Sequence, residues 1–332
     1  MWRVIILVKV YSLLVSHVDC KLTALGDPIG PLGPTIIEKP NKVDDDLKVV
    51  TDAINAQKLS PDLVNLIASR TADQRAAIDA AYLKATGKVG CHPFQSLTTD
   101  TSSIQLFKKN SERLNPKNVP VPALTADAYP GNERLKKPVN GASLIDDING
   151  KVDDTGKSTF LKMVDPKTMR PDDGTDATMV EQQFGLLPID KIHCDNVALE
   201  DFLTSASFAQ IKLVVEKYNG HPDSSGKPLA DKMKKSCPKG LRQEIYKRIV
   251  RYAAAPYEYL AEEFNLGITG NSFNTQAHRY QLIARSEIDL KDIISAYASS
   301  FGHEPQKDMD SWAKDEYTDL FLAVLNGNPP KK

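Results

Sequence analysis

"LIARSEIDLKDIISAYASSFGH", residues 282–303, contains a helix break followed by one amphipathic helix. Arg285, Ser286 and Glu287 stand between two apolar faces. Leu282 lies three residues before the arginine, and Ile293 and Tyr297 lie eight and twelve residues after it. Those two later offsets fall on one face of a helix and predict a buried stripe, and Gly302 predicts the C-terminus of that helix. Asp289, one turn beyond Arg285, is the local partner expected for a partly buried arginine.

The same frame recurs twice. "LIASRTADQRAAIDAAYLKATGK" places Ile67, Ile78 and Tyr82 at the same offsets around Arg70 and closes on Gly87. "FLTSASFAQIKLVVEKYNG" places Leu203, Val214 and Tyr218 around Ala206 and closes on Gly220. Three copies of one helical pattern predict an array of supersecondary units rather than a single irregular core. Ala206 and Arg285 are 79 residues apart and Arg70 and Ala206 are 136 apart, so the longer gap has room for one further unit. "DDTGKSTFLKMV", 153–164, reads as the closing segment of that unit, and "TDTSSIQLFKK", 99–109, as the same segment of the first.

The rest of the chain is consistent with an all-α reading. Apolar residues recur at steps of three and four, without alternation of the strand type. The 332 residues are 41% hydrophobic, enough for a sizeable core, and the net charge of -1 gives no general field to draw nucleic acid. Residues 1–20, "MWRVIILVKVYSLLVSHVDC", have the layout of a secretory signal peptide: Arg3, an apolar run too short to span a bilayer, then small and polar residues. Secretion follows from that reading; without it the protein is cytoplasmic and membrane-peripheral. Pro28, Pro31, Pro34 and Pro40 make 21–43 an extended tail, and five prolines make 111–140 an irregular insertion. Cys20, Cys91, Cys194 and Cys237 are too scattered for a disulfide framework. After cleavage the last three form either one disulfide with a free thiol or three buried thiols, and the buried thiols are the expectation.

These segments together resemble the annexins. The Arg70 and Arg285 stretches are similar to the corner between the second and third helices of annexin repeats, and "DEYTDLFLAVLNG", 315–327, to a closing helix. "AAPYEYLAEEF", 254–264, is similar to the opening helix of the last repeat, and "RPDDGTDATMV", 170–180, to the linker before the third. The resemblance implies an all-α array of four repeats, each of roughly seventy residues and about five helices. It divides the chain into repeat 1 over 44–110, the insertion and a truncated repeat 2 over 111–165, linker and repeat 3 over 166–254, and repeat 4 over 255–328.

The resemblance also implies a calcium site that joins two parts of a repeat. A Gly-x-Gly-Thr turn offers backbone carbonyls, a carboxylate about forty residues later closes the shell, and open positions are left for a lipid phosphate. In this chain the first turn falls on Asn55, Ala56, Gln57 and Lys58, with Asp100 as its acid; the third falls on Lys191, Ile192, His193 and Cys194, with the acid position near Cys237. The fourth keeps Gly270, Asn271, Ser272 and Phe273, with Asp310 two residues from the acid position, which holds Trp312. Gly270, Asn271, Ser272 and Asp310 are therefore the best calcium remnant and Asp100 the next. Trp312 either packs on its own helix pair or anchors a membrane interface. Calcium binding is expected to be weak or lost.

Three other motifs fail on spacing or context. "GTD" at 174–176 lies in the linker. "GKVDDTGKS", 150–158, has five residues between its glycines and no preceding strand, so it is not a phosphate-binding loop. His193, Cys194 and Cys237 lack a fourth zinc ligand at the right spacing. Neither a nucleophile elbow nor a His-Glu-x-x-His motif occurs, and no enzyme is expected. Two functions remain: a peripheral protein that binds an acidic phospholipid surface, or a calcium-independent secreted protein that binds a protein or glycan partner.

Overall fold

The computed structural model describes residues 32–56, 60–86, 144–152, 154–165, 170–171, 174–224, 226–269, 285–309 and 316–327. All regular structure among them is helical. The chain divides into two compact units, one containing Asn115–Phe264 and the other containing Pro31–Leu114 with Asn265–Lys332. The second unit therefore brings the first and last repeats together across the sequence.

In the first unit, α4 (Leu144–Lys151) and α5 (Asp154–Val164) precede a 3-10 turn (Ala177–Met179) and α6 (Val180–Phe184). Then come α7 (Val197–Ser205), α8 (Phe208–Gly220), α9 (Leu229–Ser236) and α10 (Leu241–Ala254). The starts of α7 and α8 are written in the sequence. The Asn196 carboxamide accepts from the Ala198 N–H at 2.9 Å, and the Ser207 hydroxyl accepts from the Gln210 N–H at 2.9 Å. α8, α9 and α5 pack on α10, burying Val214, Tyr218, Met233, Ile245, Tyr246 and Ile249 in one core. The segment 153–164, read as the closing piece of the second unit of the array, is α5 and packs against α7.

The other unit holds α1 (Val43–Ala56), α2 (Pro61–Ile67) and α3 (Ala72–Thr86) with α12 (Leu290–Phe301), α13 (Pro305–Met309) and α14 (Glu316–Asn326). α1 packs on α3, and α2 packs on α14. α11 (Pro256–Thr269) crosses the division between the units. The six stripe residues Ile78, Tyr82, Val214, Tyr218, Ile293 and Tyr297 are all buried, as their spacing predicts. Gly302 ends α12 in the left-handed conformation with φ +77°; Gly220 is instead the last helical residue of α8, and Gly87 lies outside the described residues.

The arginine frame is met differently in each copy. Arg285 is buried, and its Nε donates to Asp289 Oδ1 at 2.6 Å while Nη2 reaches Oδ2, so the expected partner is the observed one. Arg70 has Gln74 at the corresponding place and pairs instead with Asp46 of α1, at 2.7 and 2.8 Å. The arginine holds the Asp46 carboxyl below its ordinary value. In the third copy, where Ala206 carries no guanidinium, Arg170 from the preceding linker supplies one. It donates to the carbonyls of Leu203 and Ala206 at the end of α7 and stacks 4.3 Å above the Phe208 ring. Two carbonyls at that helix end, those of Leu203 and the capping Ala206, thereby gain a donor.

The tail residues before α1 form no regular element, bending at Thr35 and Ile36, and are tied to the fourth repeat. Leu32 and Gly33 N–H groups donate to the two oxygens of Asp292 at 2.7 and 2.9 Å, and Ile36 N–H donates to Ser286 O at 2.9 Å. Gly327, with φ +63°, lets the tail pass: a Cβ there would lie 1.9 Å from the Thr35 carbonyl oxygen.

Candidate calcium and membrane site

In the third repeat both parts of the expected site are described. The turn between α6 and α7 exposes Lys191 and His193 and buries Ile192 and Cys194. Asn196 then caps α7, which fixes the turn against a regular helix. The second part follows α9. Cys237 caps that helix, its N–H donating to Met233 O, and Gln243 of α10 donates to Cys237 O at 2.8 Å and Lys234 O at 3.0 Å. Each loop is thus held by a neighbouring helix rather than left to an ion.

A disulfide joins them. Cys194 and Cys237, with Cα atoms 5.4 Å apart and 43 positions apart in sequence, are bonded. This corrects the expectation of three buried thiols. It also removes the zinc reading, because a sulfur committed to a disulfide is no longer a thiolate ligand. The two cysteines stand at the last position of the turn and near the position of the closing acid, so a covalent bond links the two parts that calcium is expected to link. The donor set does not fit calcium. The ion needs six to eight oxygens, whereas here a disulfide-bonded cysteine lies near the carboxylate position and Lys191 adds a positive charge to the turn. The disulfide constrains a long loop, and its loss through Cys194→Ser with Cys237→Ser should lower stability by about 2–4 kcal/mol. Urea unfolding of the double variant beside the oxidised parent measures this; superimposable curves would show that the bond contributes nothing.

The other expected sites fall where little is described. Asn55 and Ala56 form the end of α1, but Gln57, Lys58 and Asp100 lie outside the described residues. So do Gly270, Asn271, Ser272 and Phe273, which follow Thr269 at the end of α11, and Asp310 and Trp312, which follow Met309 at the end of α13. Among the described residues no group of three or more His, Cys, Asp or Glu side chains could hold a metal ion.

The buried carboxylate Glu200 of the first unit is structural. Glu200 of α7 accepts from Ser158 and Thr159 of α5 at 2.9 and 2.6 Å and pairs with Lys162 at 3.0 Å. Burial alone would raise its carboxyl, but these donors outweigh burial and hold it below the ordinary value. Arg242 of α10 approaches the same carboxylate at 3.7 Å and donates to Ser158 at 3.3 Å, so the cluster fastens α5 to both α7 and α10.

No protein-family model matches the chain. Over 130 residues it is 30% identical to annexin A10 of Mus musculus and 28% identical to annexin A10 of Homo sapiens. The match spans 39% of this chain and 39% of the length of each of those relatives. Among solved structures it is similar to annexin III, at TM-score 0.67 and 20% identity, over 89% of this chain and 98% of that one. It is also similar to chicken annexin V in complex with Zn2+, at TM-score 0.67 and 17% identity, over 89% and 99% of the two chains. Calcium-bound annexin (Sm)1 matches at TM-score 0.63 and 18% identity, over 88% and 93%. The paired repeats, the helix-break frame and these likenesses lead to one conclusion: the protein has the all-α annexin fold and is annexin-like.

Proposed function

We propose that this annexin-like chain is a peripheral protein of acidic phospholipid membranes whose dependence on calcium is weak or lost. The fold supports the membrane part, since calcium-dependent phospholipid binding belongs to the family it resembles. The third-repeat turn carries the second part: Lys191 and the Cys194–Cys237 bond occupy the positions where a calcium site needs a carbonyl turn and a carboxylate. Among the described residues no helix is long and apolar enough to cross a membrane, in keeping with attachment at the surface. The disulfide favours an oxidising compartment, which supports the secretion proposed from the apolar segment 1–20.

Cosedimentation with vesicles of equal parts phosphatidylserine and phosphatidylcholine, in calcium and in chelator, tests the reading. Binding in both arms, weakening steeply as salt rises, is the expected outcome, because surface charge acts over about 8 Å at physiological ionic strength. Calcium affinity without lipid should be on the order of millimolar or weaker. A micromolar calcium site in calorimetry would refute the eroded-site part and direct attention to Gly270 and Asp310. Absence of binding in both arms would favour the protein or glycan partner.

A further inference from the structure

The loops joined by the disulfide carry an excess of positive charge. Lys191 lies on the turn, Lys232, Lys234 and Lys235 lie on α9, and Lys239 lies just beyond Cys237. Lys191, Lys234, Lys235 and Lys239 are exposed, and none of the five forms an ion pair among the described residues. Asp190, Asp195 and Asp231 are the acids of the same segments. Five lysines against three aspartates leave the segments two charges positive, in a chain whose net charge is -1. Lys234 and Lys235 have a helical explanation, since cations are favourable in the last turn of a helix. Lys191 and Lys239 have none, because both stand on loops. Val197, at the first position of α7 and three residues from Cys194, is a 64% exposed apolar side chain.

The bond places these groups together. Lys191 is three residues from Cys194 and Lys239 two from Cys237, the Cα atoms of the cysteines are 5.4 Å apart, and each residue spans at most about 3.6 Å. The backbones of the two lysines therefore lie within about 23 Å of each other. That is close enough for both to face one patch of membrane.

We propose that the third repeat meets anionic lipid directly through Lys191, Lys235 and Lys239, with the Cys194–Cys237 disulfide linking the two loops in place of an ion. The occupant is a phosphatidylserine-bearing membrane surface, chosen by charge complementarity and by the exposed Val197 that follows the turn. The inference rests on the membrane reading above and adds where, and by what chemistry, contact is made.

The test uses the full chain and vesicles of equal parts phosphatidylserine and phosphatidylcholine, in chelator at low salt. Each lysine near a charged surface is worth about fivefold in binding, so K191Q/K235Q/K239Q should bind on the order of 100-fold more weakly than the parent. K48Q/K84Q/K307Q removes the same charge from exposed sites elsewhere and should change binding far less. C194S/C237S, with its loops no longer tied, should bind several-fold more weakly. Helical circular dichroism confirms that each variant is folded. If the parent binds but both lysine triples weaken it equally, or neither does, the patch is overturned while the membrane reading stands. If the parent binds only when calcium is added, the patch again fails and, of the reading above, the membrane part stands while the loss of calcium dependence falls. A parent that binds in neither condition overturns both. A serine variant that binds like its parent overturns the linking role of the disulfide.

Discussion

Arg285→Met is expected to destabilise the protein by roughly 3–5 kcal/mol, the range for removing one partner of a buried ion pair. The side chains of Arg285 and Asp289 are 7% and 5% exposed, so the carboxylate left behind has little water to solvate it. Burial already pushes the Asp289 carboxyl up, with Asp292 adding to the rise and Arg285 offsetting part of it. Without the arginine the folded pKa rises further above the unfolded one. The penalty is then present at pH values above the folded pKa and shrinks as the pH falls through it. Melting of variant and parent should therefore differ most near neutrality and converge in acid. R285M/D289L, which removes both charges, should recover most of the loss, because the penalty comes from an unpaired charge and not from a missing bond. A double variant no more stable than R285M would refute that account.

Tyr297→Ala should cost about 3–5 kcal/mol, the range for truncating a large buried aromatic. Tyr297 is fully buried and packs on Phe301 with ring centroids 4.6 Å apart. Its hydroxyl accepts from Asn265 Nδ2 at 2.7 Å and donates to Asp308. One residue thus joins α11, α12 and α13. Tyr297→Phe keeps the packing and removes only the hydroxyl, so it should cost about 1–3 kcal/mol, the desolvation of partners left unsatisfied. Chemical denaturation separates the two, and equal losses would mean that packing contributes little at this position.

The stripe residues and the Arg285–Asp289 pair were legible because both depend on local helical spacing, which sequence carries directly. Arg70 shows where that legibility ends. Its frame position matches Arg285, but Gln74 replaces the acid, and the partner, Asp46, lies 24 residues back on another helix. Arg170 was not legible at all. Ala206 reads as a lost arginine, and only the fold shows that a linker residue brings a guanidinium to the same helix end. The disulfide lay between these cases. Cys194 and Cys237 had each been placed on one part of the third-repeat site, and two cysteines at the two ends of a site that must close were a usable signal. What obscured it was the assumption that isolated cysteines are buried thiols.

The pairing of the first repeat with the last has a consequence for how the chain is made. The ribosome releases α1, α2 and α3 early, yet the surface of α2 that packs on α14 has no cover until nearly the whole chain has emerged. At the usual rate of synthesis that interval is roughly 12–50 s. Asn115–Phe264, the larger part of the other unit, is one continuous stretch and meets no such delay. A chain stopped after Phe264 would present a complete middle unit beside an N-terminal repeat with an open apolar face, the kind of species that chaperones hold and proteases remove. The last helix is thus a completion signal: until α14 arrives, the first repeat waits with its core half built.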